Sequence, residues 1–243
     1  MGHVSLRVGT WNIHGAVGRD GRHDIDRILA VIQEMRADVV ALQEVAPLGL
    51  EHGLLQAARR DLGMHVVTGR TLTRCNVDYG NAILSRYPVA RSASLDLTVG
   101  HREPRNAIDA RLSCGLGDLR ILATHLGLRP AERRMQVQRL LAALGHAPRE
   151  ACVVMGDLNE WYLWGRPLRW LHAKFGAPSS PATFPARRPV LKLDRIWAHP
   201  PEALRGLHAH VSALSRVASD HLPLVATYAL PCASREGTTA AAA

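Results

Sequence analysis

Hydrophobic and polar positions alternate along the chain in a pattern that predicts strands and helices in turn. Val4, Leu6 and Val8 alternate with polar neighbours, as in a half-buried strand. Residues 23–36 carry apolar side chains at helical spacing, and residues 38–45 are mostly apolar, as in a buried strand. The chain is therefore expected to begin with a strand, a helix and a second strand.

The same pattern continues over most of the remaining length. A helix is predicted over Pro130–Leu144, where proline stands at the first position and apolar residues form one face. Further strands are predicted at residues 82–85, 107–112, 119–125, 151–155, 193–197 and 224–230. Because several strands follow one another between about residues 80 and 126, we expect antiparallel pairing in a mixed sheet and a layered α/β architecture.

Composition places the chain among globular proteins. It has 243 residues, of which 47% are hydrophobic and 21% charged, so collagen-like and disordered chains are excluded. We expect one domain over residues 1–230 and a disordered tail over residues 231–243, where Ser, Gly, Thr and Ala predominate. Four cysteines without CxxC spacing favour a reducing compartment. No run reaches the roughly 18 apolar residues of a membrane span, and we expect a cytoplasmic, monomeric protein without a signal peptide.

The formal net charge of +9 favours anionic partners, of which nucleic acid and an acidic lipid surface are the main classes. Only Lys174 and Lys192 are lysines among the 30 basic residues. The other basic residues are arginines, which GC-rich coding also produces, so charge ranks the partners without choosing one.

Polar side chains suited to phosphate and metal chemistry follow several predicted strands. These candidates are Asn12, Glu44, His125, Asp157, Asn159, Asp194, Asp220 and His221. Each residue taken alone is more often a helix cap, a turn residue or a solvated loop residue. Together, at the ends of strands, they are placed where a scaffold brings distant side chains into one site.

Three carboxylates in one place would repel unless a cation or raised pKa values relieved them. Glu44, Asp157 and Asp220 offer oxygen ligands, which suit Mg²⁺ and also Mn²⁺ better than zinc. His221 could protonate or polarise a phosphoryl oxygen, and Asp194 could hold its ring in one tautomer. This set indicates metal-assisted hydrolysis of a phosphoester.

The ordered motifs TWNIH, LQEV, GNAILSRYP, THL, GDLN, LDRIW and SDHLP resemble those of the endonuclease/exonuclease/phosphatase superfamily. That superfamily includes exonuclease III, pancreatic-type deoxyribonuclease, neutral sphingomyelinases and inositol polyphosphate 5-phosphatases. The resemblance covers about residues 5 to 230. It implies a four-layered α/β/β/α sandwich of two mixed β-sheets, but it does not transfer a substrate.

The resemblance also implies a metal site. Glu44 matches the principal Mg²⁺ ligand of the superfamily, and Asn12 matches a second position at that site. Asp220 matches a position assigned to metal binding or water activation.

The catalytic residues are implied in the same way. Asp157 matches the aspartate that orients or deprotonates the attacking water, and Asn159 matches the asparagine that holds the phosphate. His221 matches the histidine that contacts the scissile phosphate, and Asp194 matches the aspartate paired with it. His125 matches a histidine found in the deoxyribonuclease and sphingomyelinase branches.

Three further residues are predicted as substrate contacts. Trp161 follows GDLN directly and is a candidate for stacking on a base or entering a lipid interface. Trp164 and Trp170 are expected to pack a short helix onto the sheet instead. Arg105 leads a strand towards the site, and Asn81 lies in GNAILSRYP, so both are candidate substrate contacts.

The leading functional hypothesis is a Mg²⁺-dependent phosphodiesterase that acts on nucleic acid. One alternative is a phosphodiesterase or phosphatase for a lipid headgroup or another small phosphoester. A third hypothesis, from another class, is a catalytically silent module that binds anionic polymers.

Overall fold

Two β-sheets run through the protein, whose computed structural model describes residues 3–47, 53–74, 77–115, 117–145 and 150–231. The first sheet contains β1 (His3–Asn12), β2 (Val39–Val45), β3 (His65–Arg74), β4 (Val77–Ser85), β10 (Leu204–Ala209) and β11 (Leu224–Pro231). Its spatial order is β10-β11-β1-β2-β4-β3, and β1 and β2 are its parallel pair. It is therefore a mixed sheet.

The second sheet contains five strands in sequence order. They are β5 (Val89–Asp96), β6 (Asn106–Ser113), β7 (Asp118–His125), β8 (Cys152–Asp157) and β9 (Asp194–His199). The β7 and β8 strands are parallel, and the other neighbours are antiparallel. The antiparallel pairing expected between residues 80 and 126 occurs in β5–β7, whereas β4 belongs to the first sheet.

Helices cover the outer faces of both sheets. They are α1 (Ile25–Met35), α2 (Leu54–Leu62), α3 (Pro130–Leu144), α4 (Arg166–Phe175) and the short α5 (Ser215–Ala218). The α1 and α2 helices share one hydrophobic cluster with the first sheet, and α3 and α4 share another with the second sheet. A third cluster joins the inner faces of the two sheets. The layers are thus α/β/β/α, as the resemblance implies.

The predicted first helix is confirmed, with shorter ends. Asp24 is its N-cap, and its carboxylate accepts a hydrogen bond of 2.9 Å from the backbone N–H of Arg27. The predictions omit the strands β3, β5 and β10, which all lie at sheet edges. Most side chains of β5 are exposed, so the strand lacks the alternation by which buried strands are found.

The structure bears on two further expectations, which concern membrane-spanning helices and the C-terminal tail. No helix in the described ranges is long and apolar enough to cross a membrane. Of the predicted tail, Pro231 ends β11, and residues 232–243 lie outside the described residues.

A buried ion pair joins α3 to the loop that follows β8. Arg133 is fully buried and donates from Nε and Nη2 to the two carboxylate oxygens of Glu160, both at 3.1 Å. Its Nη1 donates to the carbonyl oxygen of Leu128 at 2.6 Å. Such a pair is costly to break, because removal of one partner leaves an uncompensated charge in the interior. Arg133 therefore holds together two loops that border the candidate site.

We expect Glu160→Ala to lower the free energy of unfolding by about 3–5 kcal/mol, because the Arg133 guanidinium loses its buried partner. Urea denaturation followed by circular dichroism measures this change. The control is Asp61→Ala, which removes an exposed ion pair with Arg60 and is expected to leave the midpoint unchanged. Equal midpoints for the two variants would contradict the structural role of Glu160.

Candidate active site

The predicted site residues lie where strands of both sheets meet one edge of the sandwich. Asn12 ends β1, His125 ends β7, Asp157 ends β8, and Asp194 begins β9. Backbone pairing places His125 opposite Asp157, and Asp157 opposite Asp194. Residues paired across neighbouring strands point to the same face of a sheet. These three side chains therefore lie side by side.

A β-bulge directs Glu44 towards this site. The register between β2 and β4 shifts between Leu42 and Val45, and Glu44 has a φ of 55°. Few residues other than glycine adopt this backbone conformation, which persists where the surrounding structure holds it. The Glu44 carboxylate accepts a hydrogen bond of 2.9 Å from Asn12 Nδ2. The bulge thus joins the acidic side chain of β2 to the end of β1.

Gly156 allows β8 to approach β7 closely just before Asp157. Its φ is 148°, and a Cβ atom built on it would lie 1.9 Å from the carbonyl oxygen of Thr124. A side chain at this position would push β8 away from β7. The glycine of the GDLN motif is thereby explained by the packing that places Asp157.

Asp157 is a buried carboxylate held by hydrogen bonds. Its Oδ1 accepts from the backbone N–H of Asn159 at 2.8 Å, and its Oδ2 accepts from Asn12 Nδ2 at 3.1 Å. Burial and the charge of Asp194 raise the pKa of Asp157 to about 6, although His221 and the two hydrogen bonds oppose the rise. Asp157 is therefore mainly ionised at neutral pH and suited to accept a proton.

His221 lies between the two buried aspartates. Its Nδ1 donates to Asp194 Oδ2 at 2.8 Å, and its Nε2 lies 3.7 Å from Asp157 Oδ2. Burial alone lowers the pKa of His221, but the charge and hydrogen bond of Asp194, followed by the charges of Asp157 and Asp220, raise it to about 10. His221 is therefore a cation at neutral pH.

His125 is a second buried imidazole, and unlike His221 it is neutral. Burial and the charges of Arg105 and His221 lower the pKa of His125 well below its usual value, so the ring is neutral. Arg105 Nη1 lies 2.9 Å from Nδ1, and because arginine can only donate, Nδ1 is assigned as the acceptor. The other ring nitrogen, Nε2, lies 3.6 Å from Asp157 Oδ2 and 3.9 Å from Glu44 Oε1.

The two asparagines of the predicted site have different surroundings. Asn159 donates from Nδ2 to the carbonyl oxygen of Leu126 at 2.9 Å, and the same nitrogen lies 3.0 Å from His125 Nε2. Asn12 places its Nδ2 between Glu44 and Asp157, while its Oδ1 accepts from the backbone N–H of His14. Asn12 thus bridges two carboxylates through its amide nitrogen.

The other predicted residues lie farther out on the same cleft. Asp220 lines it, and its Oδ1 accepts a hydrogen bond of 3.3 Å from Ser219 Oγ. Asn81 lines it as a buried residue and donates to Asn106 Oδ1 at 2.9 Å. Trp161 lies at the rim with its ring above the guanidinium of Arg133. The cleft encloses about 1040 Å³ and is open to solvent.

Trp164 and Trp170 are both expected to pack a short helix onto the sheet, and only Trp170 does so. Trp170 is partly buried and packs against the cluster that α3 and α4 share with the second sheet. The expectation that Trp164 also packs inwards is wrong, because its side chain is 74% exposed. The buried Leu168 and Leu171 attach α4 to the sheet in its place.

Further residues that support the site were not among the predicted site residues. Thr183 Oγ1 donates to Asp194 Oδ2 at 2.5 Å, and the Phe184 ring lies 4.8 Å from the His221 ring, centre to centre. Both residues lie in the TFP segment of the sequence, which is a local motif without a catalytic group of its own. Arg133 and Glu160 were missed because long-range ion pairs have no signature in sequence spacing.

The donor set was compared with what Mg²⁺ requires. Within the described residues, Asp157, Asp194 and His221 have ligand atoms within 4.8 Å of one another, but the cationic His221 already donates to Asp194 and does not suit a cation. Mg²⁺ is commonly held by one or two carboxylates, together with water and substrate phosphate. Glu44, whose side chain is 39% exposed and lines the cleft, fits that requirement.

Comparison with known proteins identifies the family of this chain. Residues 9–221 match the model of the Endonuclease/Exonuclease/phosphatase family. The protein YbhP of Escherichia coli (strain K12), which is named as uncharacterized, is 30% identical to this chain over 242 residues. The match covers 91% of this chain and 95% of YbhP.

Two solved structures have the same fold. An endonuclease/exonuclease/phosphatase from Beutenbergia cavernae is 28% identical, with a TM-score of 0.74, and the match covers 93% of this chain and 72% of that one. Another from Bacteroides vulgatus is 19% identical, with a TM-score of 0.75 and coverage of 94% and 100%. The chain belongs to the endonuclease/exonuclease/phosphatase family.

Proposed function

We propose that this protein is a Mg²⁺-dependent phosphodiesterase that hydrolyses nucleic acid. Members of its family are typically hydrolases that act on phosphoesters. The observation that carries the proposal is the arrangement of Asp157, His221 and Asp194. The Asp157 carboxylate, with a pKa of about 6, lies 3.7 Å from the His221 imidazole, whose pKa is about 10. A proton acceptor and a cation are thus held together beside an open cleft.

Each side chain has a distinct part in the proposed reaction. Asp157 accepts a proton from the attacking water, which its buried carboxylate also orients. His221 donates a charged hydrogen bond to the phosphate oxygens as negative charge builds on them, and Asp194 keeps its ring oriented. Asn159 and His125 line the same cleft beside these groups and are the further phosphate contacts. Positioned donors of this kind need no rearrangement during the reaction.

Glu44 would hold the metal ion, with Asn12 bound to its carboxylate and Asp220 on the same cleft. When bound, Mg²⁺ supplies a positive charge that stabilises phosphate oxygens. Mn²⁺ has similar ligand preferences, so it is expected to replace Mg²⁺.

The net charge of +9 supports nucleic acid as the substrate, because a phosphate backbone is attracted to a basic protein. Hydrolysis of a lipid headgroup is the second candidate, and it is favoured by exposed aromatic residues at the rim of the cleft. Parallel assays on single-stranded DNA, RNA and phospholipid vesicles distinguish the two substrates. Cleavage of the lipid alone would replace the first candidate by the second.

We expect Asp157→Ala and His221→Ala each to lower kcat on bis(p-nitrophenyl) phosphate by about 10²–10⁴, because a general base or an electrostatic stabiliser is lost. Turnover is measured with Mg²⁺, with Mn²⁺ and with EDTA, which should abolish it. Asp118→Ala is the matched control, since this exposed aspartate lies at the opposite end of β7 from His125. Near-wild-type rates in either site variant, with an intact fold, would remove the assignment.

The pH profile of kcat/KM provides a second test. The rate should fall as the pH drops through about 6, where Asp157 becomes protonated, and as it rises towards about 10, where His221 loses its proton. Asp194→Asn removes a negative charge that raises both pKa values, so both limbs should move to lower pH. An unchanged alkaline limb in this variant would show that His221 is not the titrating group.

A further inference from the structure

Four consecutive apolar side chains are exposed in the loop between β8 and α4. Trp161, Tyr162, Leu163 and Trp164 have 39%, 45%, 52% and 74% of their surfaces exposed, and we refer to residues 161–164 as the aromatic tip. Leu128, in the neighbouring loop, is 60% exposed, and it lines the catalytic cleft together with Trp161. Contiguous exposed apolar surface of this kind marks an interaction site more often than scattered exposed residues do.

Contacts with Arg133, Glu160 and the backbone hold the aromatic tip in place. The guanidinium of Arg133 lies 4.8 Å from the centre of the Trp161 ring, and the Arg133 side chain also binds the Leu128 carbonyl. The backbone N–H of Tyr162 donates to Glu160 Oε1, and that of Gly165 donates to the Tyr162 carbonyl. Buried polar contacts thus keep the apolar side chains at the surface.

The exposed charged side chains of the two segments that carry the aromatic tip and Leu128 are basic, whereas Glu103, 59% exposed, lines the cleft from another segment. Arg129 is adjacent to Leu128, while Arg166 and Arg169 lie on the first turn of α4, next to the tip. The acidic residues of these two segments, Glu132 and Glu160, are only 5% and 2% exposed. The surface therefore combines apolar groups with positive charge and no exposed acidic group of its own.

We propose that the aromatic tip docks on the surface of an anionic phospholipid bilayer. Tryptophan and tyrosine are suited to the interface between headgroups and acyl chains, and arginine to acidic headgroups. Leu163 and Leu128 can enter such an interface, but they offer no ring on which a base could stack. Docking would turn the rim of the cleft towards the headgroups.

This inference goes beyond the proposed phosphodiesterase activity and does not depend on it. The test is cosedimentation of the full chain with vesicles of phosphatidylcholine alone and with 30% phosphatidylglycerol. We expect binding to the anionic vesicles, reduced by high salt because surface charges are screened. Leu163→Ser/Trp164→Ser should weaken that binding by about tenfold or more, since two apolar side chains that enter the interface are lost.

Val211→Ser is the matched control, because Val211 is 51% exposed and lies in the loop between β10 and α5. Both variants should hydrolyse bis(p-nitrophenyl) phosphate at the wild-type rate, so loss of vesicle binding is separable from loss of catalysis. The proposal is overturned if wild-type protein does not bind anionic vesicles, or if the double variant binds them equally well.

Two further results would assign the aromatic tip to another partner. Oligo(dT) binding that the double variant loses, without vesicle binding by the wild type, would make the tip a surface for nucleic acid. A dimer in light scattering that the double variant converts to a monomer, again without vesicle binding, would make it an interface between two copies of the chain. Either result overturns the membrane proposal.

Discussion

Two buried carboxylates at one level of a sheet repel each other, and the site is arranged around the relief of that repulsion. Asp157 and Asp194 are paired residues of β8 and β9, and each is almost fully buried. The imidazolium of His221 lies between them, with one nitrogen towards each carboxylate. This cation stabilises both negative charges, and the two negative charges in turn keep His221 protonated. The charge states of all three groups are thus mutually dependent.

The same interaction connects the two sheets. His221 precedes β11 of the first sheet, whereas its partners belong to the second. Trp11 Nε1 donates to the His221 carbonyl, and Ser219 Oγ donates to the Asn12 carbonyl, so the loop is fastened to β1. Asn12 completes the connection through its contacts with Glu44 and Asp157. The geometry of the candidate site therefore depends on the packing of one sheet against the other.

A second buried charge pair shapes the rim of the cleft. Arg133 and Glu160 fix the loops around Leu128 and Trp161, and they leave a cationic, aromatic surface facing outwards. The candidate active site at the base of the cleft and the aromatic tip at its rim are thus held in place by separate networks. A fold shared by many phosphoesterases can in this way change its partner through one loop while the reacting groups stay in place.

The sequence by itself determined the elements that bury a periodic apolar face, such as α1, α3 and β8, and the motifs that identify the family. It also indicated that Asp194 and His221 belong together, both from the chemistry of the two residues and through resemblance to known motifs. The edge strands β3, β5 and β10 escaped prediction, since an edge strand with exposed side chains has little hydrophobic periodicity. Tertiary structure alone decided that Arg105 binds His125, that Trp164 is exposed and that Arg133 pairs with Glu160. The contacts of Arg105 with His125 and of Arg133 with Glu160 join residues that are 20 and 27 positions apart in the chain. The burial and charge pairing that stabilise them exist only after the layers have packed.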